Sequence, residues 1–223
     1  APLFDSRVAM GVDEPRVGMW SRGVDPAVFR PELRSPAWRR SQGVHDDEIL
    51  VMFFGRLVVE KGFDTFARTV AELRRRGVAF KLLVVGAGPA ETKFRSAFPD
   101  GIFTGHLEGE ALGTAVASAD ILLNPSVTEA FGNVNLEAMA SGVAVVSADV
   151  GSAQALINSG QSGILVAPEP SALAAQVGRL VADPALRRRL GSSAVRVASL
   201  YRWDEALDDV VRAYRGLQVA RDH

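Results

Sequence analysis

Short apolar runs alternate with amphipathic stretches along most of this chain. Residues 49–54 form a continuous apolar run, which is typical of a parallel strand buried on both faces. Phe63, Phe66, Val70 and Leu73 follow at the spacing of one helix face. Because strands that alternate with helices form βαβ units, the pattern predicts an α/β fold: a doubly wound, Rossmann-like parallel sheet of about six strands. The further strands are predicted at residues 80–85, 102–103, 121–123, 143–146 and 164–166.

Helix-start signals mark the C-terminal part of the chain. Ser171 is predicted to cap one helix, and Asp183 to cap the next, with Pro184 at its first position. A last amphipathic helix is predicted at about residues 203–218. Residues 1–45 are weakly patterned and contain scattered prolines. We therefore predict a linker or N-terminal arm there and one domain over residues 46–223.

The composition narrows the classes of function. The formal net charge of −1 gives no reason to expect nucleic acid or an anionic membrane as the main partner. The chain has no cysteine, so it has no disulfide framework and no thiolate metal site. Its longest apolar runs fall far short of the roughly 20 residues that a membrane-spanning helix needs, so no transmembrane segment is expected.

Glycine and two cations follow the first predicted strand. Gly55 lets the backbone pass close to a ligand, and Arg56 and Lys61 add two positive charges. A diphosphate suits this pair, because arginine offers a forked pair of donors and lysine a point charge. Ligands of such folds bind at the carboxyl ends of the strands, where the strand order reverses. The residues alone leave open whether this is an anion site or a plain solvated basic loop.

A second glycine pair follows the second predicted strand. Gly86 and Gly88 form a Gly-x-Gly, which by itself is weak evidence of a nucleotide site. The dinucleotide-binding fingerprint fails here, because Glu91 stands at its third glycine position and Pro89 follows the second glycine. An NAD-binding domain is therefore disfavoured.

Two carboxylates bracket the predicted start of a helix after the fourth strand. Glu129 lies in the loop, and Glu137 lies in the first turn or so of the helix. A helix start offers unpaired backbone N–H groups and a positive dipole end, which suit a phosphate or sugar oxygen. Taken singly, Glu137 is more readily explained as a dipole partner and Glu129 as a solvated loop residue. As a pair on different elements, they are well placed to bind hydroxyl groups.

These segments together resemble the donor-sugar motifs of the family 4 retaining glycosyltransferases, which have the GT-B fold. The resemblance runs from about Val17 to the C-terminus. The matching residues are Gly55-Arg56 and Glu60-Lys61-Gly62, Gly86-Ala87-Gly88, Phe103 to Leu107, Pro125-Ser126, and the stretch from Glu129 through Phe131-Gly132 to Glu137 and Gly142.

The resemblance implies transfer of a sugar from a nucleoside diphosphate sugar, GDP- or UDP-linked, with retention and without a bound metal or other cofactor. Arg56 and Lys61 would stabilise the leaving diphosphate, Glu129 would bind donor-sugar hydroxyls, and Glu137 would bind the ribose; the first three are the implied catalytic residues. The implied donor-binding residues are Gly55, Gly86, Gly88, His106, Leu107, Ser126, Phe131, Gly132, Asn133, Val134 and Glu137.

The resemblance also has gaps. Gly151-Ser152 stands where the family usually has a glycine pair, and Ala155 stands where it usually has glutamate. Two doubly wound domains would need roughly twice this number of residues. The resemblance thus implies the C-terminal, donor-binding domain, with the N-terminal acceptor domain absent from this chain and the last helix a candidate for docking on it.

Three alternatives stay open. The two carboxylates could be the acid and nucleophile of a glycosidase, although this leaves Arg56, Lys61 and the glycines unexplained. The chain could be a nucleotide- or nucleotide-sugar-binding module, or a subunit of a split transferase, with no turnover of its own. A flavodoxin-like or NAD-binding domain is the third alternative.

Overall fold

The computed structural model describes residues 23–128, 131–204, 206–208 and 211. Within these ranges, α-helices alternate with strands, and short 3₁₀ helices lie at Pro31–Leu33 and Val59–Lys61. The strands are β1 (Leu50–Phe54), β2 (Lys81–Val85), β3 (Ile102–Gly105), β4 (Ile121–Asn124), β5 (Ala144–Ala148) and β6 (Ile164–Val166). The helices are α1 (Pro36–Ser41), α2 (Phe63–Arg75), α3 (Glu91–Ala97), α4 (Gly109–Ala117), α5 (Asn133–Ala140), α6 (Gly151–Gln154), α7 (Pro170–Ala182) and α8 (Pro184–Ala198).

The strands form one six-stranded sheet in the order β3-β2-β1-β4-β5-β6, and every neighbouring pair is parallel. This order confirms the predicted doubly wound, Rossmann-like sheet. The chain moves outward from β1 to β3, then returns to place β4 on the other side of β1. The strand order therefore reverses between β1 and β4, and a crevice is expected at their carboxyl ends.

Both faces of the sheet are covered by apolar side chains. On one face, Phe53 of β1 packs edge-on against Phe66 and Phe94, with ring centroids 5.0 and 4.8 Å apart. On the other face, Met52 and Leu122 lie in a second cluster with Met139 of α5. Strands buried on both faces form a close-packed platform. This platform fixes the positions of the loops that leave it.

The amino ends of β1 and β4 are joined by an ion-pair network. Arg39 of α1 is only 2% exposed, and it donates to Asp120 Oδ2 at 3.0 Å and to the Ser118 carbonyl at 2.7 Å. The same carboxylate oxygen accepts from the Leu50 backbone N–H at 2.8 Å. Arg34 donates to the other oxygen at 2.7 Å. Because each charge has partners, its burial is compensated.

One predicted helix cap is confirmed and one is wrong. The Asp183 carboxylate accepts from the Leu186 N–H at 2.8 Å, with Pro184 at the first position of α8. Ser171 does not cap α7, because the helix already begins at Pro170 and its N-cap is Glu169. Proline fixes φ at a helical value and needs no N–H partner, which favours the first helical position.

Two chain segments run side by side beside α8 and form a parallel junction. The Val24 N–H donates to the Tyr201 carbonyl at 3.0 Å, and Val24 forms a parallel bridge with Arg202. Of the helix predicted at residues 203–218, residues 203–204, 206–208 and 211 are helical, and the others lie outside the described residues. Within the described ranges, no helix has the length and apolar character needed to span a membrane.

Candidate functional site

The loops after β1 and β4 are held together at the carboxyl edge of the sheet. Gly62 ends the β1 loop with φ 82°, and a Cβ there would lie only 3.1 Å from the Pro125 carbonyl oxygen. The hydroxyl of Thr128 donates to the Glu60 carbonyl at 2.9 Å. The loop that carries Arg56 and Lys61 therefore lies directly beside the loop that follows β4. Arg56 is exposed and Lys61 is half-buried.

The β1 and β2 loops are also in contact, through two glycines. A Cβ on Gly86 would lie 2.0 Å from the Gly55 carbonyl oxygen, and one on Gly88 would lie 2.4 Å from the Leu57 carbonyl oxygen. The Leu57 N–H donates to the Ala87 carbonyl at 3.0 Å. The close approach of the two backbones is therefore sufficient to require glycine at both positions. A ligand is not needed to explain them.

The loop after β3 lies beyond the β2 loop. The Gly86 N–H donates to the Gly105 carbonyl at 3.1 Å. His106 is exposed, and its Nε2 lies 3.1 Å from Glu108 Oε1. Leu107 is half-buried and packs against the core. The predicted residues of this loop thus belong to the same edge of the sheet, two strands away from β1.

The start of α5 adjoins the β1 loop. Ser126 is only 1% exposed, and its N–H donates to Asn124 Oδ1 at 3.1 Å, which fixes the turn after β4. Gly132 is the N-cap of α5 with φ 83°. Val134, in the first turn, lies 3.4 Å from where a Cβ on Gly55 would be. Glu129, the remaining predicted catalytic residue, lies outside the described residues.

A buried polar network under α5 was not predicted from the sequence. Asn124 Nδ2 donates to Asn135 Oδ1 at 2.9 Å, and Asn135 Nδ2 donates to Ser147 Oγ at 3.1 Å. All three side chains are buried. They join the ends of β4 and β5 to the first turn of α5. The available signal was the presence of amides and a hydroxyl in otherwise apolar elements, because buried polar groups need partners.

Polar atoms without partners lie close to this helix start. Among the described residues, Asn133 Oδ1 and Ser152 Oγ are buried and make no hydrogen bond. The Ser152 carbonyl oxygen is 3.6 Å from where a Cβ on Gly132 would be, so the start of α6 adjoins the start of α5. Ser152 is one of the positions where the chain departs from the motif. Such groups are unusual in a folded interior and indicate a place where a ligand or water completes the contacts.

The arrangement can bind an anion with attached hydroxyl groups. The N–H groups of the first turn of α5 have no intrahelical partner, and the positive end of the helix dipole favours a negative ligand. Two cations on the adjoining loop add to this field. Glu137 lies one turn further along α5 and is half-buried. In the parts of the chain that the structure describes, no group of three His, Cys, Asp or Glu residues is placed to hold a metal ion.

The fold is that of a doubly wound α/β protein, and comparison with known proteins identifies the family. Residues 48–183 match the family Glycosyl transferases group 1. This match covers more than half of the chain, which therefore belongs to that family. The six-stranded parallel sheet corresponds to one Rossmann-like unit of the GT-B fold.

Several curated and solved proteins are similar to this chain. A GDP-mannose-dependent alpha-mannosyltransferase of Mycolicibacterium smegmatis is 35% identical over 91% of this chain and 52% of its own length. A D-inositol 3-phosphate glycosyltransferase of Acidothermus cellulolyticus is 34% identical over 92% of this chain and 49% of its own length. The structure of sucrose-phosphate synthase from Thermosynechococcus elongatus superposes with a TM-score of 0.81, at 26% identity, over 99% of this chain and 57% of that one. The chain thus spans about half the length of the curated relatives it matches.

Proposed function

We propose that this chain binds the donor nucleoside diphosphate sugar of a retaining hexosyltransferase. The observation that supports this most is the contact between the loop of Arg56 and Lys61 and the loop that leads into α5. That contact places the loop of the two cations beside the loop that leads into α5, and the first N–H groups of a helix have no intrahelical partner. A diphosphate is the common ligand that matches both features at once.

The proposed chemistry concerns the leaving group. As the bond between the sugar and the diphosphate breaks, negative charge builds up on the diphosphate oxygens. Arg56 and Lys61 would stabilise that charge more strongly in the transition state than in the bound donor, which accelerates the reaction. The N–H groups at Phe131, Gly132 and Asn133 would assist at the helix start. In this proposal no metal ion is needed for the charge balance.

Two glutamates are proposed to orient the donor. Glu137 would accept hydrogen bonds from the ribose hydroxyls, and Glu129 would accept them from the hydroxyls of the transferred sugar. Neither is proposed as an acid or a base. The family assignment supports transfer over the glycosidase alternative, in which the two carboxylates would act directly on the glycosidic bond.

We propose GDP as the nucleotide and mannose as the sugar, with UDP as the competing nucleotide. The support is the name of the M. smegmatis relative, a GDP-mannose-dependent enzyme. We further propose that the 223-residue chain binds the donor but does not transfer the sugar by itself, because its relatives are about twice as long. The acceptor would then be bound by a second, N-terminal domain.

Calorimetric titration of the chain with GDP, UDP, ADP and NAD in metal-free buffer tests the proposal. We expect binding of GDP, weaker binding of UDP and none of NAD. Binding of NAD in preference to every diphosphate would contradict the donor assignment. The Glu137→Ala variant should lose affinity for GDP and keep its affinity for pyrophosphate, which lacks the ribose. Equal losses for both ligands would mean that the variant is locally unfolded.

A further inference from the structure

Tyr201 joins three parts of the chain that are far apart in sequence. Its carbonyl oxygen accepts from the Val24 N–H at 3.0 Å, at the parallel junction beside α8. Its hydroxyl donates to the Ala155 carbonyl at 3.0 Å, 46 positions away. Its ring packs edge-on against Phe131, with centroids 6.5 Å apart and planes at 74°. No motif of the donor site includes this residue.

The contact with Phe131 reaches the turn that begins α5. Phe131 comes directly before Gly132, the N-cap of the helix. Phe131 is half-buried and, like Tyr201, packs against the core cluster on that side of the sheet. Edge-on aromatic pairs are worth about 0.5–1.5 kcal/mol beyond the area that they bury. A change in the position of the Tyr201 ring would therefore act directly on the backbone of the turn.

The hydroxyl group holds the ring in place from the other side. Ala155 is the C-cap of α6, and carbonyl groups at a helix end have no intrahelical partner. The phenol, whose pKa burial raises above its ordinary value, is the donor of this hydrogen bond. Ala155 is also the position where the motif usually has glutamate. Here its carbonyl group takes part in a contact that leads to the donor site.

The parallel junction of the two segments is tightly packed. A Cβ on Gly23 would lie 2.2 Å from the Trp203 backbone nitrogen, and Val24 is buried. The segments on either side of Tyr201 are therefore fixed to each other by backbone contacts. Tyr201 extends from this fixed point to the turn at Phe131, which otherwise lies at the end of a loop.

We propose that Tyr201 is a positioning residue that holds the turn at Phe131 and Gly132 in the geometry that binds the donor diphosphate. This inference rests on the proposed function. Tyr201 acts through Phe131 and does not touch the ligand. It also couples the junction of the Val24 and Tyr201 segments to the donor crevice. A displacement of these segments would therefore change the affinity for the diphosphate.

Hydrogen exchange of the ligand-free chain tests the positioning role without any ligand. In Tyr201→Leu, which loses the ring contact and the hydrogen bond, we expect about two- to tenfold faster exchange of the Leu136 N–H, the range that one lost aromatic contact allows. This N–H donates to the Gly132 carbonyl at 3.1 Å and therefore reports on the turn. Tyr201→Phe keeps the ring and should restore most of the protection. The matched control is Ser199→Ala, because the Ser199 hydroxyl donates to the Arg196 carbonyl at 2.9 Å on an exposed face. Exchange in β1 should be the same in all variants.

Calorimetry with GDP then connects the turn to binding. We expect Tyr201→Leu to bind about two- to tenfold more weakly than the unaltered chain, with Tyr201→Phe closer to it and Ser199→Ala unchanged. Unchanged exchange of the Leu136 N–H in Tyr201→Leu, or unchanged affinity in a chain that binds GDP, would overturn the inference. If the unaltered chain binds no nucleotide while exchange responds as expected, the proposed function fails and the coupling of Tyr201 to the turn stands.

Discussion

Thr128 and Glu60 lie 68 positions apart in the sequence, yet the Thr128 hydroxyl donates to the Glu60 carbonyl at 2.9 Å. The contact joins the loop after β1 to the loop after β4, across the place where the strand order reverses. One of these loops carries the two predicted cations, and the other leads into α5. Their relative position therefore depends in part on a single side-chain hydrogen bond.

Replacing Thr128 by valine should weaken diphosphate binding more than it weakens the fold. Valine keeps the shape of the side chain and removes the donor, so the two loops lose a link worth about 0.5–1.5 kcal/mol. We expect lower affinity for GDP in calorimetry and little change in the urea midpoint, because Thr128 is exposed. Thr69→Val is the control, since its hydroxyl donates to the Thr65 carbonyl within α2 at 2.7 Å. That variant should lose stability and keep its affinity.

Replacing Arg56 or Lys61 by alanine should each weaken diphosphate binding by about 1.5–3 kcal/mol, the range for hydrogen bonds to charged groups. Both side chains are at least partly exposed, so the free energy of unfolding should change little. Calorimetry with GDP and with pyrophosphate gives the comparison. Arg188→Ala on the exposed face of α8 removes the same charge elsewhere. If neither crevice variant lost affinity relative to that control, the phosphate assignment would be wrong.

Replacing Gly86 by alanine should destabilise the fold by about 2–5 kcal/mol. Gly86 has φ 129°, and an added Cβ would lie 2.0 Å from the Gly55 carbonyl oxygen, so backbone strain and a steric clash add together. Gly160→Ala separates the two causes, because Gly160 has φ 79° and nothing within 4 Å of the added atom. It should cost only about 1–2 kcal/mol. Urea unfolding of both variants measures the difference, and equal losses would rule out the clash.

Glu72 should make stability depend on pH in acid. Hydrogen bonds from the guanidinium groups of Arg75 and Arg76 lower the pKa of this half-buried carboxylate to about 2. Its unfolded pKa is near 4.3, so the contribution is complete above that pH and is lost as the pH falls toward 2. The difference in urea midpoint between the unaltered chain and Glu72→Gln should therefore shrink from pH 5.5 to pH 3. Combined loss of both arginines should remove the pH dependence as well, and its persistence there would assign it to another group.

The sheet could be predicted because its elements are specified locally. Continuous apolar runs such as residues 49–54 and helical spacings such as Phe63, Phe66 and Val70 each occur within one element, and together they define βαβ units. The cap at Asp183 is equally local. The cap predicted at Ser171 is wrong because two start signals, a proline and a serine, stand side by side, and the proline fixes the first helical position.

The candidate site could be predicted only in part, for a physical reason. The glycines and cations after β1 and β2 stand out in the sequence, but the cause of Gly86 and Gly88 is a contact between two backbones that only the folded chain brings together. The Thr128 hydrogen bond and the Tyr201 contacts join positions that are tens of residues apart. Such pairs follow from tertiary packing, which no local pattern encodes.

The buried chain of Asn124, Asn135 and Ser147 also constrains how this protein can evolve. Each of these side chains satisfies the next, so an apolar replacement at one position leaves a buried polar group without a partner, at a cost of about 1–3 kcal/mol. Replacement of all three by apolar residues of similar size does not remove that penalty, because the buried Ser126 N–H would lose Asn124 Oδ1 as its acceptor. Viable descendants should therefore keep the three residues as a set.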